Sequence, residues 1–567
     1  MSDQGPVIED ELQPITEQLR EEIIAWIADD PDPDTATELL KYLDENNLFE
    51  LNRAFQGFLQ FGTAGLRGRL GPGPSQMNRA VVARVAAGIA LYMRDRKLNS
   101  IVIGRDARYG SEDFANDSAE IFAGMGFDVY LLPRPLPTPV LAFTLKELNL
   151  DVGIMVTASH NPASDNGYKV YLGKTVDQIK YNGSQIISPS DLEISAEIAK
   201  IKSVRELTRL QNFKIVDESI IRRYIHKTAS LVKKPGEIKV VYTAMHGVGS
   251  ETLQSVFRAA GFAQPILVDS QNQPDPDFPT VQFPNPEEPG AMDLAINAGR
   301  DWDADIVLAN DPDADRCAVA IKDDGGWRIL RGDEIGFILG RYLAENFPPT
   351  PGNKRVFANS IVSSSLLARI AESYGIDFKE TLTGFKWLAK VDQLTFGYEE
   401  ALGYAVAPDC VNDKDGISTA LLLTDLASHL KARGEGISTY LDEIWNRYGF
   451  YGTSQISIRL KDLTVIDKVL DFFLTTPPLE LAGFSIESIE NLAKPRGDLP
   501  ATEGIRIFLA SQGVESSAIK VRLIIRPSGT EPKIKCYLEV VAEKSQAKRI
   551  LEDLGSEITS LLEKILR

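Results

Sequence analysis

One pattern runs through this chain three times: a short β-branched strand, a helix closed by glycine, a second strand, a second helix and a third strand. The first copy reads Ile101-Val102-Ile103, a helical stretch ending at Gly126-Phe127, a strand at 129–132, a helix from Thr138 onward, and a strand at 153–156. The second runs from 239–242 through a helix ending at Gly261-Phe262, a strand at 266–268, a Pro/Asn-rich insertion and a helix near 292–298 to a strand at 305–308. The third is 355–357, a helix ending at Gly375-Ile376, a strand at 378–382, a short helix and 394–396. Glycine at each first-helix end fits the left-handed cap that other residues adopt only at a cost. Such alternation requires α/β units with their sheets covered by helices. From about Gly449 the pattern changes to alternating strands (455–460, 521–525, 535–540) followed by an amphipathic helix at 544–566, the mark of a separate α+β domain. A chain of 567 residues, at about 150 residues per domain, has length for roughly four domains.

The expected layout is an N-terminal helical extension at 1–50, broken at Asp30-Pro31-Asp32-Pro33, then domains at 51–213, 214–324, 325–445 and 446–567. Lys and Arg total 61 against 80 Asp and Glu, a formal charge of −19. A surface that acidic repels a nucleic-acid backbone or an anionic membrane, so an anionic substrate needs a local cluster of cations. The three cysteines (Cys317, Cys410, Cys536) show neither a disulfide framework nor zinc-ligand spacing. The acidic start lacks the order of a signal peptide, and the apolar stretch 81–93 is interrupted by Arg84, well short of the roughly 18 apolar residues of a membrane span. These features predict a cytoplasmic protein with neither nucleic acid nor membrane as partner.

The informative residues follow each third strand, where open α/β sheets bind ligands. Asn310-Asp311-Pro312-Asp313-Ala314-Asp315-Arg316 places carboxylates at alternating positions, suited to one hard cation. An EF-hand would need Gly at Arg316 and Glu at Lys322, so that reading fails. Three carboxylates leave Mg²⁺ short of six ligands, with room for a phosphate oxygen. In Thr157-Ala158-Ser159-His160-Asn161-Pro162 the serine is a candidate nucleophile, although G-x-S-x-G is absent. Adjacent side chains rarely point together, which counts against His160 as the proton acceptor of a triad. Gly167…Gly173-Lys174-Thr175 mimics a Walker loop, but five residues separate the glycines instead of four. Glu399-Glu400, in the third loop, can accept hydrogen bonds from sugar hydroxyls; adjacency disfavours the facing geometry of glycoside hydrolysis. Arg526-Pro527-Ser528-Gly529-Thr530-Glu531-Pro532-Lys533 combines a guanidinium fork, hydroxyls and an approachable backbone, a credible phosphate cradle.

Together with Phe61-Gly62-Thr63-Ala64-Gly65-Leu66-Arg67-Gly68 and Thr383-Gly384-Phe385-Lys386, these motifs resemble the α-D-phosphohexomutase superfamily of phosphoglucomutases, phosphomannomutases and their relatives. The resemblance covers nearly the whole chain after about residue 50. It implies a four-domain architecture, three similar α/β sheet domains plus a C-terminal α+β domain, lining one cleft. It also implies that Ser159 carries a transferable phosphoryl group and that Asp311, Asp313 and Asp315 hold Mg²⁺, with the serine phosphate as a further ligand. Arg67 and Arg316 would lie against that phosphate, with Arg105 as support around the serine. Lys169 and His160 would move protons, Lys386 and Glu399 would read the sugar, and Arg526, Ser528, Gly529, Thr530 and Lys535 would hold the phosphate that is not reacting. For Lys169 to act as a base its pKa must fall from about 10.4 through neighbouring cations or burial, and the metal and the arginines would supply the repulsion.

The function expected is interconversion of glucose 1-phosphate and glucose 6-phosphate through a phosphoserine enzyme, with glucose 1,6-bisphosphate as intermediate, activator and phosphoryl donor. One departure stands out. Many hexose enzymes carry Glu-x-Ser in the sugar loop, and here the serine position is Ala401. Glucose-1,6-bisphosphate synthase, phosphomannomutase and phosphopentomutase activities remain open on the same fold, and a metal-dependent sugar phosphatase stands further off.

Overall fold

The computed structural model describes residues 15–60, 65–350, 352, 354–460, 465–497, 499–511, 519–527 and 533–566. The three copies of the repeat fold alike. In each, the first strand lies parallel between the second and third: Ser100–Arg105 between Asp128–Leu131 and Val152–Val156, Val240–Thr243 between Ile266–Leu267 and Ile306–Ala309, and Val356–Ser360 between Asp377–Thr381 and Leu394–Glu399. Gly126, Gly261 and Gly375, after the helices Ser111–Gly124, Gly249–Ala260 and Leu366–Ser373, adopt φ of 92°, 86° and 66°, the left-handed termination expected of them.

Each third strand then turns back as an antiparallel partner: Asp165–Leu172, Ala318–Asp323 and Gly403–Ala405. The repeat read from the sequence stops one strand short of this. The return strands turn the informative stretches into hairpin loops at the C-terminal ends of the parallel strands. They also place Lys169 inside a strand, opposite Met155, and make Glu399 the last residue of a strand.

The N-terminal arm forms the helices Glu17–Asp29, Pro33–Asp44 and Leu48–Ala54. Asp32 caps the second by accepting from Asp34 N, and Pro33 takes the first helical position, where its missing N–H costs nothing. Ile23, Trp26, Leu39 and Leu51 of the arm join the core under the first sheet. A second core runs continuously through the first three units, from Phe143 through Leu253 and Leu308 to Phe357 and Leu421.

The C-terminal unit keeps its own core. Its six strands are antiparallel in the order Phe450–Arg459, Lys533–Ala542, Lys520–Pro527, Ile505–Ser511, Phe484–Asn491 and Glu480–Leu481. The helix Lys544–Leu566 buries Ala547, Ile550, Leu554, Ile558 and Leu562, one apolar stripe at helical spacing. Polar contacts join this unit to the third: Ser365 N and Oγ donate to Glu539 at 2.8 and 2.7 Å, and Arg522 donates to Ser363 O at 2.6 Å.

Lys390 ties the third unit to the first, donating to Ser184 Oγ and, at 3.0 Å, to Gln185 O. Burial pushes its amine down from 10.5 to about 7; Asp413 opposes the shift and Lys386 adds to it. Between those pH values the unfolded chain holds a proton that the folded chain has lost, so this group makes stability rise with pH across that window. Lys390→Met is expected to raise Tm at pH 7 and to flatten the rise between pH 7 and 9. The lost bonds to Ser184 Oγ and Gln185 O cost about 1 kcal/mol each, less together than the ammonium's desolvation. Calorimetry at three pH values checks both effects.

Candidate active site

The three hairpin loops share a backbone signature. Each turns through a non-glycine residue at positive φ: Ser159 at 53°, Ala314 at 54° and Leu402 at 62°. Such conformations cost on the order of 1 kcal/mol or more and persist where the surroundings enforce them.

In the first loop the enforcement comes from Arg108, only 4% exposed. Its guanidinium donates to the main-chain oxygens of Ser159 (2.7 Å), Asn161 (2.6 Å), Pro162 (2.7 Å) and Asp165 (3.1 Å). Asp106 lies 3.4 Å from its Nε, and the Phe278 ring of the second unit packs 4.8 Å from it. Arg105, expected to support the serine, instead turns to Glu112 at 3.0 Å.

The second loop buries all three aspartates, with ligand oxygens within 4.8 Å of one another. Arg316 N donates to Asp311 Oδ1 (3.0 Å) and Tyr242 holds Asn310 (2.9 Å), pinning the loop from both ends. Ser159 Oγ donates to Asp311 Oδ2 at 2.7 Å, and Thr138 Oγ1 to Asp313 Oδ2 at 2.6 Å. Lys169 Nζ bridges Asp313 Oδ2 (2.6 Å) and Asp315 Oδ2 (2.8 Å). Burial, then the charges of Asp313 and Asp315, push Asp311 up to about 8. Burial also works against ionisation of Asp313 and Asp315, but Lys169 outweighs it at both, with Lys414 and Arg316 adding at Asp315, and both stay below the usual carboxylate range.

The Oδ1 atoms of Asp313 and Asp315 are buried without a hydrogen-bond donor among the described residues. Orphaned carboxylate oxygens in a buried aspartate cluster suit a hard divalent cation, so the residues present fit Mg²⁺. The surroundings of Lys169 combine near-complete burial with two carboxylate partners, and a second ammonium reaches one of those carboxylates. Lys414, which the sequence reading did not single out, lies 3.1 Å from Asp315 Oδ2. It precedes the helix Gly416–Ala432, whose cap Asp415 accepts from Ile417 N and Ser418 N. A Cβ on Gly416 would come 2.2 Å from Arg316 O, so only glycine lets this helix abut the aspartate loop. The charged run Asp413-Lys414-Asp415-Gly416 opening an apolar helix was the available signal.

Ser159 Oγ also lies 3.3 Å from His160 Nδ1, so the adjacent pair does meet, against expectation; the left-handed turn at Ser159 brings both side chains to one side. Burial, then Arg316 and Arg67, hold the His160 imidazole well below its usual pKa and therefore neutral at pH 7. Arg67 stands on the strand Leu66–Arg69, paired with Gly167. Burial lowers its pKa against the raising charges of Asp313 and Asp315. The Nε atoms of Arg67 and Arg316 have no partner among the described residues and are free to meet an anion.

Glu399 Oε1 accepts from Gly384 N at 2.6 Å, joining the sugar loop to the Thr383–Lys386 motif; burial and Glu400 push its carboxyl up to about 7. Glu400 instead accepts from Ser360 (3.2 Å) and Ser363 (3.1 Å), so the two carboxylates are held by different partners. Lys386 is half-buried, its amine lowered by burial and steadied by the charge of Asp191 in the first unit. Arg526 and Lys535 are register neighbours on the central strands of the C-terminal sheet. Burial, then Glu400, raises the Tyr537 hydroxyl, which bonds to Arg526, while Lys535 and Arg316 both act on Glu287. These strands therefore face the sugar loop and the arginine of the aspartate loop. Ser528, Gly529 and Thr530 lie outside the described residues.

Comparison with known proteins shows the family. Family models of phosphoglucomutase/phosphomannomutase match in order: alpha/beta/alpha domain I at residues 59–205, domain II at 222–326, domain III at 331–448 and the C-terminal domain at 485–555. A Haemophilus influenzae protein named "Probable phosphomannomutase" is 46% identical over 493 residues, 86% of this chain and 98% of that one. The Homo sapiens "Phosphopentomutase" is 35% identical over 604 residues, covering 95% of each. The crystal structure of a phosphoglucomutase/phosphomannomutase family protein from Burkholderia thailandensis has the same fold, with a TM-score of 0.66 at 19% identity over 88% of this chain and 97% of that one. With four domain models in order and a relative this similar over most of its length, the chain is an enzyme of the phosphohexomutase type and belongs to the phosphoglucomutase/phosphomannomutase family.

Proposed function

We propose that this enzyme interconverts glucose 1-phosphate and glucose 6-phosphate through phosphorylated Ser159 and a glucose 1,6-bisphosphate intermediate. One observation carries the reading: Ser159 Oγ lies 2.7 Å from Asp311 at the edge of a buried aspartate trio, beside two arginines with unpartnered donors. Asp311, Asp313 and Asp315 would hold Mg²⁺, joined by the Ser159 phosphate. When bound, the ion supplies positive charge against the phosphoryl oxygens.

Phosphoryl transfer passes through a loose transition state with charge on the equatorial oxygens, so positioning and electrostatics do most of the work. Arg67 and Arg316 supply fixed donors to those oxygens. The bond from phosphorus to Ser159 Oγ breaks as one to the sugar hydroxyl oxygen forms. The hydroxyl proton leaves through His160, held neutral, or through Lys169 once that side chain has given up a proton of its own. Glu399 and Lys386 orient the sugar, and Arg526, Ser528, Gly529, Thr530 and Lys535 hold the distal phosphate. The bisphosphate then turns over in the cleft and its other phosphate returns to Ser159. A cradle on a unit with its own core suits a grip that must accept either end. The partners are small-molecule sugar phosphates in the cytoplasm, with neither nucleic acid nor membrane involved; no described helix is long and apolar enough to cross a bilayer.

A second reading has its own support. Ala401 removes a hydroxyl from the sugar loop, and hydroxyl-reading contacts dominate discrimination; a relative matched over 95% of the chain is named a phosphopentomutase. The test is a panel of glucose, mannose and pentose monophosphates assayed with Mg²⁺, with and without glucose 1,6-bisphosphate. The glucose reading expects the highest kcat/KM for glucose 1-phosphate and stimulation by the bisphosphate. A higher value for a pentose or mannose phosphate would replace the substrate. Net accumulation of bisphosphate would make the enzyme a synthase, and stoichiometric release of inorganic phosphate would make it a phosphatase.

A further inference from the structure

We infer that Arg108 is a positioning residue for phosphoryl transfer: it sets the backbone that aims Ser159 at the aspartate trio, and it makes that backbone depend on docking of the second unit. The inference rests on the phosphoserine reading above.

The first support is where its bonds go. One terminal nitrogen of the guanidinium donates to Pro162 O and Asp165 O, the other to Ser159 O and Asn161 O. These four carbonyls span the loop from the serine to the first residue of the return strand, and a single rigid plane gathers them. Among the described residues none of its hydrogen bonds reaches Ser159 Oγ or an aspartate of the trio, so its action on the reaction is indirect. A lysine carries the same charge, but its compact ammonium has three donors and cannot span four carbonyls in one plane.

A second support is the strained conformation that this grip stabilises. Ser159 stands at φ 53°, where a serine gains nothing from its own backbone preference. Holding the oxygen of the same residue, together with the Ser159 N to Thr157 Oγ1 bond of 3.0 Å, leaves the peptide planes on both sides of Ser159 little freedom. The anchor beneath is itself networked. Asp106 Oδ1 accepts from Ser111 Oγ (2.6 Å) and Arg108 N (3.0 Å), and Asn166, three residues before Lys169 on the return strand, donates to Ser111 Oγ (2.9 Å) and Tyr109 O (2.8 Å).

The third support is the cover over Arg108. The Phe278 ring lies 4.8 Å from the guanidinium, and Pro312, between two aspartates of the trio, lines the same junction. The gap left there, lined also by Asp106 and His246, is about 10 Å³, no more than one water's worth. Serine loop and aspartate loop thus both pack on one buried arginine, and a shift of either unit is felt by the nucleophile.

The test uses the full chain and four measurements: kcat and KM for glucose 1-phosphate, the rate at which glucose 1,6-bisphosphate phosphorylates Ser159 by quenched intact-mass analysis, and Tm. For Arg108→Lys, kcat and the phosphorylation rate are expected to fall together by about a hundredfold, the cost of an ångström-scale misplacement. KM stays within about threefold, because no substrate-binding group has been touched. Phe278→Leu leaves the four carbonyl bonds in place and is expected to lower kcat by about tenfold with KM unchanged; it decides the matter if Arg108→Lys does not fold. A Lys variant within about threefold of the parent kcat, or one that loses KM and keeps kcat, overturns the inference. So does Phe278→Leu with undiminished kcat. If the parent enzyme itself acquires no phosphate on Ser159, the proposed function fails and takes the inference with it; normal phosphorylation of both parent and Arg108→Lys sinks the inference alone.

Discussion

Ser159→Ala is expected to abolish transfer, lowering kcat by at least about 10⁴-fold, the scale on which removal of a nucleophile acts. Binding of glucose 6-phosphate should stay within about threefold of the parent. The serine contributes an attacking oxygen and one hydrogen bond to Asp311, whereas the groups assigned to the distal phosphate, Arg526 and Lys535 among them, stand on a different sheet with its own core. Thr157, two residues earlier, is poorly placed to substitute: its Oγ1 is fully buried and accepts from Ser159 N at 3.0 Å. Alanine tolerates φ near 53° about as well as serine does, so the variant should fold. Intact mass after exposure to glucose 1,6-bisphosphate should show an 80 Da adduct (roughly one PO₃H unit) on the parent chain and none on the variant, with calorimetry reporting sugar-phosphate binding by both. An adduct of equal yield on the alanine variant would move the nucleophile elsewhere.

Much of this site could be read before any coordinates, because the repeat carries its own punctuation. Glycines 126, 261 and 375 ended the helices as expected, and the loops after the third strands held the serine and the aspartates, while Glu399 closes its strand. What escaped the sequence did so for identifiable reasons. The return strand Ala318–Asp323 begins with four fully buried apolar residues, so no alternation marks it. Arg108 binds main-chain oxygens more than fifty positions away, and carbonyls leave no trace in side-chain spacing. Lys414 reaches Asp315 from another unit, 99 residues on by subtraction of their numbers. The meeting of Ser159 with His160 depends on a positive φ at a serine, which propensity disfavours. The strand register sets Lys169 against Asp313 and Asp315, and the cation that shares Asp315 Oδ2 with it is Lys414, which lies in another unit.

Asp311→Asn carries the second large effect, a loss of at least about 10³-fold in transfer with almost no change in the stability of the metal-free protein. Burial and two like charges hold the Asp311 carboxyl up at about 8, so without metal at pH 7 it is mostly protonated and already neutral. Asparagine reproduces that neutral shape. Its oxygen can still accept from Arg316 N, as Asp311 Oδ1 does at 3.0 Å, and its amide can donate to Ser159 Oγ. The variant cannot supply a negative charge to Mg²⁺. Metal binding to the parent must displace the Asp311 proton, so Mg²⁺ affinity should climb with pH up to about 8, by at most about tenfold per unit, and then level. The asparagine variant should show weaker affinity and no such climb. Thermal unfolding separates the two states: equal Tm for parent and variant in EDTA, and a rise with millimolar Mg²⁺ in the parent only, since a ligand that binds the folded state alone stabilises it by mass action. An asparagine variant whose Tm still rises with Mg²⁺ as the parent's does would place the cation away from this trio.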